Sequence, residues 1–290
     1  MTTFDQTTHN KRIANYYDQT YAGSKSMWFN SQSLALHFGY WDETTRTDFE
    51  AQLNTNQQLA NRAGLKRGQK VLDAGCGIGG SSVWLAETYG AEVLGITISA
   101  EQVRHATENA AQRGVSHLAK FSQQDYTKVD AEDESFDVVW ALESVSCALV
   151  KREFFAEAFR LLKPGGMLVL SDGFRRKRPF DTKADEDLMR RFLDGWALPD
   201  LATPEELTTP AKEAGFENVQ CEDVSKPAEP SMLRLYKIGR WTAPLAQMLA
   251  AVKMVDPVVA QCARGSRDQY IAYRRGLCGY LFISARKPSA

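Results

Sequence analysis

Between residues 70 and 170 short, almost wholly apolar runs alternate with longer amphipathic stretches, and this alternation leaves few folds open. Lys70-Val71-Leu72-Asp73-Ala74 reads as a buried strand that runs into the glycine-rich turn Gly75-Cys76-Gly77-Ile78-Gly79-Gly80. Ser81 and Ser82 are placed to cap a helix reaching Tyr89. Glu92–Ile96 is a second strand. Ser99, with Gln102 three positions on as in a capping box, opens a helix that ends near Gly114. Residues 119–123 and Phe136–Trp140 give two more strands. A helix over 151–162 is expected to stop at Lys163-Pro164-Gly165-Gly166, ahead of a fifth strand, Met167–Leu170. Strands buried on both faces and joined by helices imply a parallel sheet covered on both sides, an α/β fold.

The flanks are less regular. Residues 8–35 read as irregular helix punctuated by Tyr16, Tyr17, Tyr21, Trp28 and Phe29, followed by His37-Phe38-Gly39-Tyr40-Trp41 and a helix over 46–65. After the fifth strand come a charged helical stretch over 174–200, a capped helix over 204–215 and a strand near 217–224. Helical, methionine-rich sequence over 229–275 precedes a last strand, Leu277–Ser284. The expected organisation is an amino-terminal cap over 1–45 and one domain over 46–290. Residues 229–275 would form an insertion roofing the site, with Met232, Leu233, Leu235, Tyr236, Trp241, Leu245, Met248, Leu249, Val252, Met254 and Val255 as its apolar lining, ordinary helix core being the alternative.

Thirty-five Lys and Arg against 36 Asp and Glu leave a net charge of -1, which argues against a nucleic-acid partner. No apolar run nears the roughly 20 residues of a membrane span, and the polar start, Met1 to Arg12, has no apolar signal core. A cytoplasmic location is expected, with no stable membrane insertion and a homo-oligomer left open. Five scattered cysteines without a Cys-x-x-Cys pair favour free thiols over disulfides or zinc, and no metal site is expected.

Gly75, Gly77 and Gly80 also satisfy the dinucleotide pattern Gly-x-Gly-x-x-Gly. A nicotinamide enzyme, however, usually carries an acid after the second strand, where this chain has Thr97. Asp73, directly before the turn, suits a ligand with a cationic ammonium group and would repel a pyrophosphate. Taken in order, Asp73–Gly80, Gly95–Ser99, Gln124-Asp125-Tyr126, Phe136–Val139 and Leu162–Gly166 resemble the successive motifs of class I S-adenosylmethionine-dependent methyltransferases. Thr97 in place of an acid resembles the subgroup of cyclopropane synthases and related lipid methyltransferases. The carboxyl-terminal stretch resembles sterol- and tocopherol-type enzymes.

The resemblance implies a Rossmann-like seven-stranded sheet with its last strand antiparallel, and S-adenosyl-L-methionine as cofactor. It implies cofactor contacts from Asp73, from Gly75, Gly77 and Gly79 under the methionine part, from Thr97 and Gln102 near the ribose, from Asp125 and Tyr126 at the adenine, and from Ala141. For Gln102 a purely structural cap remains open, and for Asp125 a loop cap. In related enzymes a Glu after the fourth strand is often followed four residues later by His. Here Glu143 is present, but Cys147 holds the histidine place. Glu143 is the candidate base or cation stabiliser, with an acid holding the cap as the alternative. Tyr17 and His37 from the cap segment are further catalytic candidates. Arg175-Arg176-Lys177-Arg178 could hold a diphosphate, or be a solvated charge run. The expected reaction is methyl transfer to a lipophilic small molecule, at a carbon of a terpenoid, prenyl or sterol-like acceptor. The alternative is O- or N-methylation of a natural product, sugar or amine.

Overall fold

The apolar runs become the central strands of a single sheet. The computed structural model describes residues 6–27 and 32–289; Trp28 and Phe29 of the aromatic series lie outside the described residues. The elements are α1 (Gln6–Met27), α2 (Asp48–Ala63), β1 (Lys70–Ala74), α3 (Gly80–Tyr89), β2 (Glu92–Thr97), α4 (Ala100–Gln112), β3 (Ala119–Gln123) and β4 (Phe136–Leu142). Then follow α5 (Lys151–Leu161), β5 (Leu162–Arg175), α6 (Lys183–Gly195), α7 (Pro204–Glu213), β6 (Glu217–Asp223), α8 (Ser225–Ala251), α9 (Pro257–Arg274) and β7 (Cys278–Arg286). The strand order is β3-β2-β1-β4-β5-β7-β6. β1 to β5 are parallel, and β7 runs antiparallel between β5 and β6.

Alternate residues of the central strands feed two separate cores. Val71, Val138 and Val169 pack on one face with Val83 and Leu85 of α3. Leu72, Val139, Leu168 and Leu170 pack on the other with Phe154 and Phe155 of α5. Burial on both faces is why these strands read as unbroken apolar runs. The chain builds outward from β1 to β3 and then returns to β4, beside β1. This reversal opens a crevice at the carboxyl ends of β1 and β4.

Local signals fix several boundaries. Thr47 with Glu50, and Thr203 with Glu206, form reciprocal capping boxes, and Pro204 and Pro257 occupy first helical turns. Three expectations are corrected. Ser81 and Ser82 do not cap α3; the helix starts at Gly80, after Gly79 at φ 85°, and the Ser82 hydroxyl instead donates to Asp73 Oδ2 at 2.6 Å. Ser99 accepts from the Gln102 amide, but the Gln102 side chain accepts from Thr97 Oγ1 rather than completing a box. Lys163-Pro164-Gly165-Gly166 is no free turn, because β5 begins at Leu162 and carries the segment as an irregularity in its pairing with β4.

The insertion between β6 and β7 is the helical pair α8 and α9, and only the first part of α8 turns its apolar side chains inward. Met232 and Leu235 are buried, whereas Trp241 (72% exposed), Leu245, Met248, Val252 and Met254 (73%) face outward. The roof expected from residues 241–254 is therefore not a lining. The apolar stretch continues past the point where α8 still has α1 and α9 to pack against.

Candidate active site

The crevice holds a partly open cavity. Its floor is the turn after β1. Gly75 sits at φ 90° and Gly77 at φ 53°, backbone states that an L side chain rarely adopts. A Cβ on Gly75 would lie 2.3 Å from Ser144 Cβ, and one on Gly80 2.5 Å from the Leu34 carbonyl oxygen. Gly77 meets only Leu36, at 3.8 Å, so its backbone is left bare for a ligand.

Of the residues expected to hold the cofactor, Asp73, Gly75, Gly77, Thr97, Gln102, Asp125 and Tyr126 all line this cavity. Gly79 and Ala141 do not. A side chain on Gly79 would strike Phe121 and Ala106, so this glycine serves the packing of α3 against β3 and α4. Ala141 is wholly buried in the sheet core, and the next residue, Leu142, reaches the wall instead.

Burial lifts the Asp73 carboxyl to about 6, against the opposing pull of the Ser82 hydroxyl. An ammonium beside it would restore its charge. Thr97 Oγ1 donates to Gln102 Oε1 at 2.5 Å and accepts from the Ser99 amide. Asp125 Oδ1 accepts from the Thr127 amide and hydroxyl, and Oδ2 accepts from Asn10 Nδ2 at 2.6 Å. The Tyr126 hydroxyl donates to the Ser144 carbonyl. A buried acid beside a bare glycine backbone, with paired hydroxyl and amide groups further along, fits the amino-acid and ribose ends of S-adenosylmethionine.

α1 closes the cavity from above. His9 Nε2 donates to the Cys147 carbonyl, Asn10 to Asp125, and Ser99 Oγ to Asp18 Oδ1. Tyr17, on the inner face of α1, brings its hydroxyl to 3.8 Å from Cys147 Sγ. The Cys147 thiol is pushed up to about 11, chiefly by burial, so it is a thiol and no base at neutral pH.

Glu143 follows β4 in a left-handed conformation, φ 52°. Its Oε1 accepts from the Phe38 amide at 2.7 Å and the Tyr280 hydroxyl at 2.5 Å. Burial raises its carboxyl to about 8, against the two hydrogen bonds, so it is mostly protonated at neutral pH. It thus ties the cap segment to β7 while remaining on the cavity wall. His37 is buried in the same wall. Nδ1 donates to the Phe38 carbonyl at 2.9 Å, and Nε2 has no hydrogen-bond partner among the described residues. Burial lowers its pKa to about 4, so the ring is neutral and Nε2 keeps its lone pair.

Sequence reading missed Asn10, Trp196 and Tyr280. Asn10 sits in a polar helix, Tyr280 arrives from the last strand, and Trp196 stood in a segment read only as charged. That Trp196 lies there was the one available signal. The basic cluster lies outside the cofactor cavity; Arg175 and Arg178 line a separate one. Arg175 and Arg178 pair with Asp200, Arg178 also with Glu206, Arg176 with Asp223 and Lys177 with Asp181. Among the described residues no group of three metal-ligating side chains occurs, and no helix is long and apolar enough to cross a membrane.

Sheet order, glycine floor and lid together define a class I S-adenosylmethionine-dependent methyltransferase acting on small molecules. More narrowly, the chain belongs to the mycolic acid cyclopropane synthetase family, whose profile matches residues 4–234. It is 32% identical over 253 residues to the 27-O-demethylrifamycin SV methyltransferase of Amycolatopsis mediterranei strain S699, covering 87% of this chain and 90% of the relative. It is 28% identical to a probable chloroplastic tocopherol O-methyltransferase of Oryza sativa subsp. japonica, over 95% and 78% of the two chains. Among solved structures, the [4+2]-cyclase SpnF superposes with a TM-score of 0.78 at 27% identity, over 96% of each chain. The cyclopropane synthase MmaA2 of Mycobacterium tuberculosis shares the fold, with a TM-score of 0.81 at 16% identity over 96% and 98%.

Proposed function

We propose that the protein methylates a hydroxyl group of a largely apolar small molecule, with His37 as the group that takes the hydroxyl proton. The observation that carries this reading is the neutral His37, a lining residue of the cavity that also holds the glycine floor, whose buried Nε2 has no hydrogen-bond partner among the described residues. When bound, S-adenosylmethionine supplies an electrophilic methyl group on sulfur. The acceptor oxygen becomes strongly acidic as its lone pair forms the new O–C bond and the S–C electrons return to sulfur. A base of pKa about 4 is then strong enough, and it stays unprotonated across the neutral range. Nδ1–H, held by the Phe38 carbonyl, fixes the tautomer that leaves Nε2 bare. On this reading Glu143 is a positioning group: it holds Phe38, the residue after His37. Tyr17 and Trp196 form the wall that keeps water from the transferring group. The names of two relatives support an oxygen acceptor, one giving 27-O-demethylrifamycin SV and one tocopherol O-methylation. The carboxylate partners of the 175–178 cations weigh against a diphosphate acceptor, while the cavity lined by Arg175 and Arg178, with Arg175 Nε lacking a hydrogen-bond partner among the described residues, weighs for it.

His37→Asn tests the reading, since the asparagine amide can keep the bond to the Phe38 carbonyl while Nε2 is lost. The expected result is a fall in kcat of about 100-fold or more, with unchanged affinity for S-adenosylhomocysteine. Unchanged turnover would remove His37 from the chemistry. A carbon acceptor is the second reading. Glu143 and the Tyr17 ring, both on the cavity wall, favour it as groups that could face a carbocation. Deuterated methyl donor separates the two, because label on carbon would end the hydroxyl reading.

A further inference from the structure

Three cavities meet at two aromatic side chains. The cofactor cavity, a second and a third are each lined by both Tyr17 and Trp196. The second lies between α1, α8 and α9, the third between β5, α6 and α9. Neither is needed to seat the cofactor, and their walls have opposite chemistry.

In the second cavity the framework is Leu235, Ile238 and Gly239 of α8 with Cys262 and Ala263 of α9. Its hydroxyls are already engaged by the protein. Tyr16 donates to the Gly195 carbonyl, Thr20 to Tyr16, Thr242 to Ile238 and Ser266 to Cys262. A wall that looks mixed by composition therefore presents an apolar surface.

The third cavity is lined by hydrogen-bond acceptors. Asp172, Glu143 and Gln269 face it, and no Lys, Arg or His is among its lining residues. Gln269 Oε1 is buried without a partner among the described residues, a costly state unless a ligand donor reaches it. The Tyr280 hydroxyl is engaged with Glu143, and the Lys151 ammonium turns away to the Ser146 and Ala148 carbonyls. A carboxylate or phosphate would find no cationic partner among the described lining residues. A hydroxylated group would find acceptors.

We propose that the acceptor is a two-armed molecule whose methylated hydroxyl lies in its interior, with an alkyl arm in the second cavity and a hydroxyl-bearing arm in the third. The inference rests on the hydroxyl reading above and names the class of molecule it acts on. His37 lines the first cavity, which borders the other two at Tyr17 and Trp196, so on this proposal the carbon skeleton leaves the reacting oxygen past these side chains in two directions.

Binding to protein saturated with S-adenosylhomocysteine tests this without requiring turnover. The probes are dodecane-1,3,5-triol, which has both arms, dodecan-5-ol, which lacks the diol, and pentane-1,3,5-triol, which lacks the alkyl chain. The dodecanetriol is expected to bind at least about tenfold more tightly than either partial probe. Ile238→Trp, which fills the second cavity, should erase its advantage over pentane-1,3,5-triol only. Gln269→Leu should erase its advantage over dodecan-5-ol only. Retained S-adenosylhomocysteine affinity shows that both variants fold. A dodecanetriol that binds no better than a partial probe, or variants that weaken all probes alike, overturns the two-armed acceptor. Selective binding of the dodecanetriol with donor label on carbon would instead overturn the hydroxyl reading and leave the two arms standing.

Discussion

Glu143 is held in a left-handed backbone conformation at a strand end, and such strain persists only where surrounding contacts fix it. Here the contacts are the Phe38 amide and the Tyr280 hydroxyl on one carboxyl oxygen. With the folded pKa near 8 and the ordinary value near 4.5, the folded state binds more protons than the unfolded state between these limits. This group therefore costs stability progressively as pH rises from about 4.5 to about 8. Glu143→Gln keeps an oxygen acceptor for both donors and removes the ionisation. Melting temperatures at pH 6 and pH 9 should show the variant losing less than the wild type over that interval. Its methyl transfer at neutral pH should stay within a few-fold of wild type, because the native group is already mostly uncharged there. Loss of turnover with intact cofactor binding would instead make the carboxylate charge part of the chemistry. Glu143→Ala, which frees Phe38, should lose activity in either case.

Two elements decide whether the site is closed. α1 crosses the cavity mouth on hydrogen bonds that include one from Asn10 to Asp125. Asn10→Ala should weaken S-adenosylhomocysteine binding by about 3–10-fold in calorimetry, with little change in melting temperature, since Asn10 lies outside the core. An unchanged Kd would mean that α1 is no part of the cofactor lid. α6 and α9 meet through glycines: a Cβ on Gly195 would lie 2.4 Å from Gly265 Cα. Gly265→Val should force these helices apart at a cost of about 1–3 kcal/mol, lowering the melting temperature and distorting the third cavity before the cofactor cavity. Such contacts explain what the sequence could and could not disclose. β1, β2, β4 and β5 were legible because both of their faces are largely buried, which leaves an apolar run, and the glycine floor because positive φ leaves a glycine. Asn10, Trp196 and Tyr280 converge from separate elements, up to 137 residues apart for Tyr280 and Glu143, and no periodicity marks such a meeting. The outward face of α8 misled for a related reason. Apolar residues at helical spacing look the same whether they line a cavity or stand exposed at 72% and 73%, as Trp241 and Met254 do.

Across the whole molecule, the buried titratable groups of the joined cavities pull stability in opposite directions. His37, lowered from 6.5 to about 4, contributes stability above 6.5 that is lost as pH falls toward 4, because the unfolded state then binds the proton the folded state refuses. Asp73, raised from 3.8 to about 6, and Glu143, raised to about 8, act the other way and cost stability as pH rises through those intervals. Ligand binding reverses the sign at Asp73. An ammonium-bearing ligand such as S-adenosylhomocysteine favours the ionised carboxylate, so binding near pH 6 must drive a proton off Asp73, and at pH 7.5 most of that work is already done. The rise in melting temperature produced by a fixed concentration of S-adenosylhomocysteine should accordingly be larger at pH 7.5 than at pH 5.5, even though Glu143 makes the free protein less stable as pH climbs. Asp73→Asn should reduce the rise at pH 7.5 and flatten its dependence on pH. Equal increments at the two pH values in the wild type would mean that Asp73 does not face the ligand's ammonium group, and the assignment of the floor after β1 to the amino-acid end of the cofactor would fall with it.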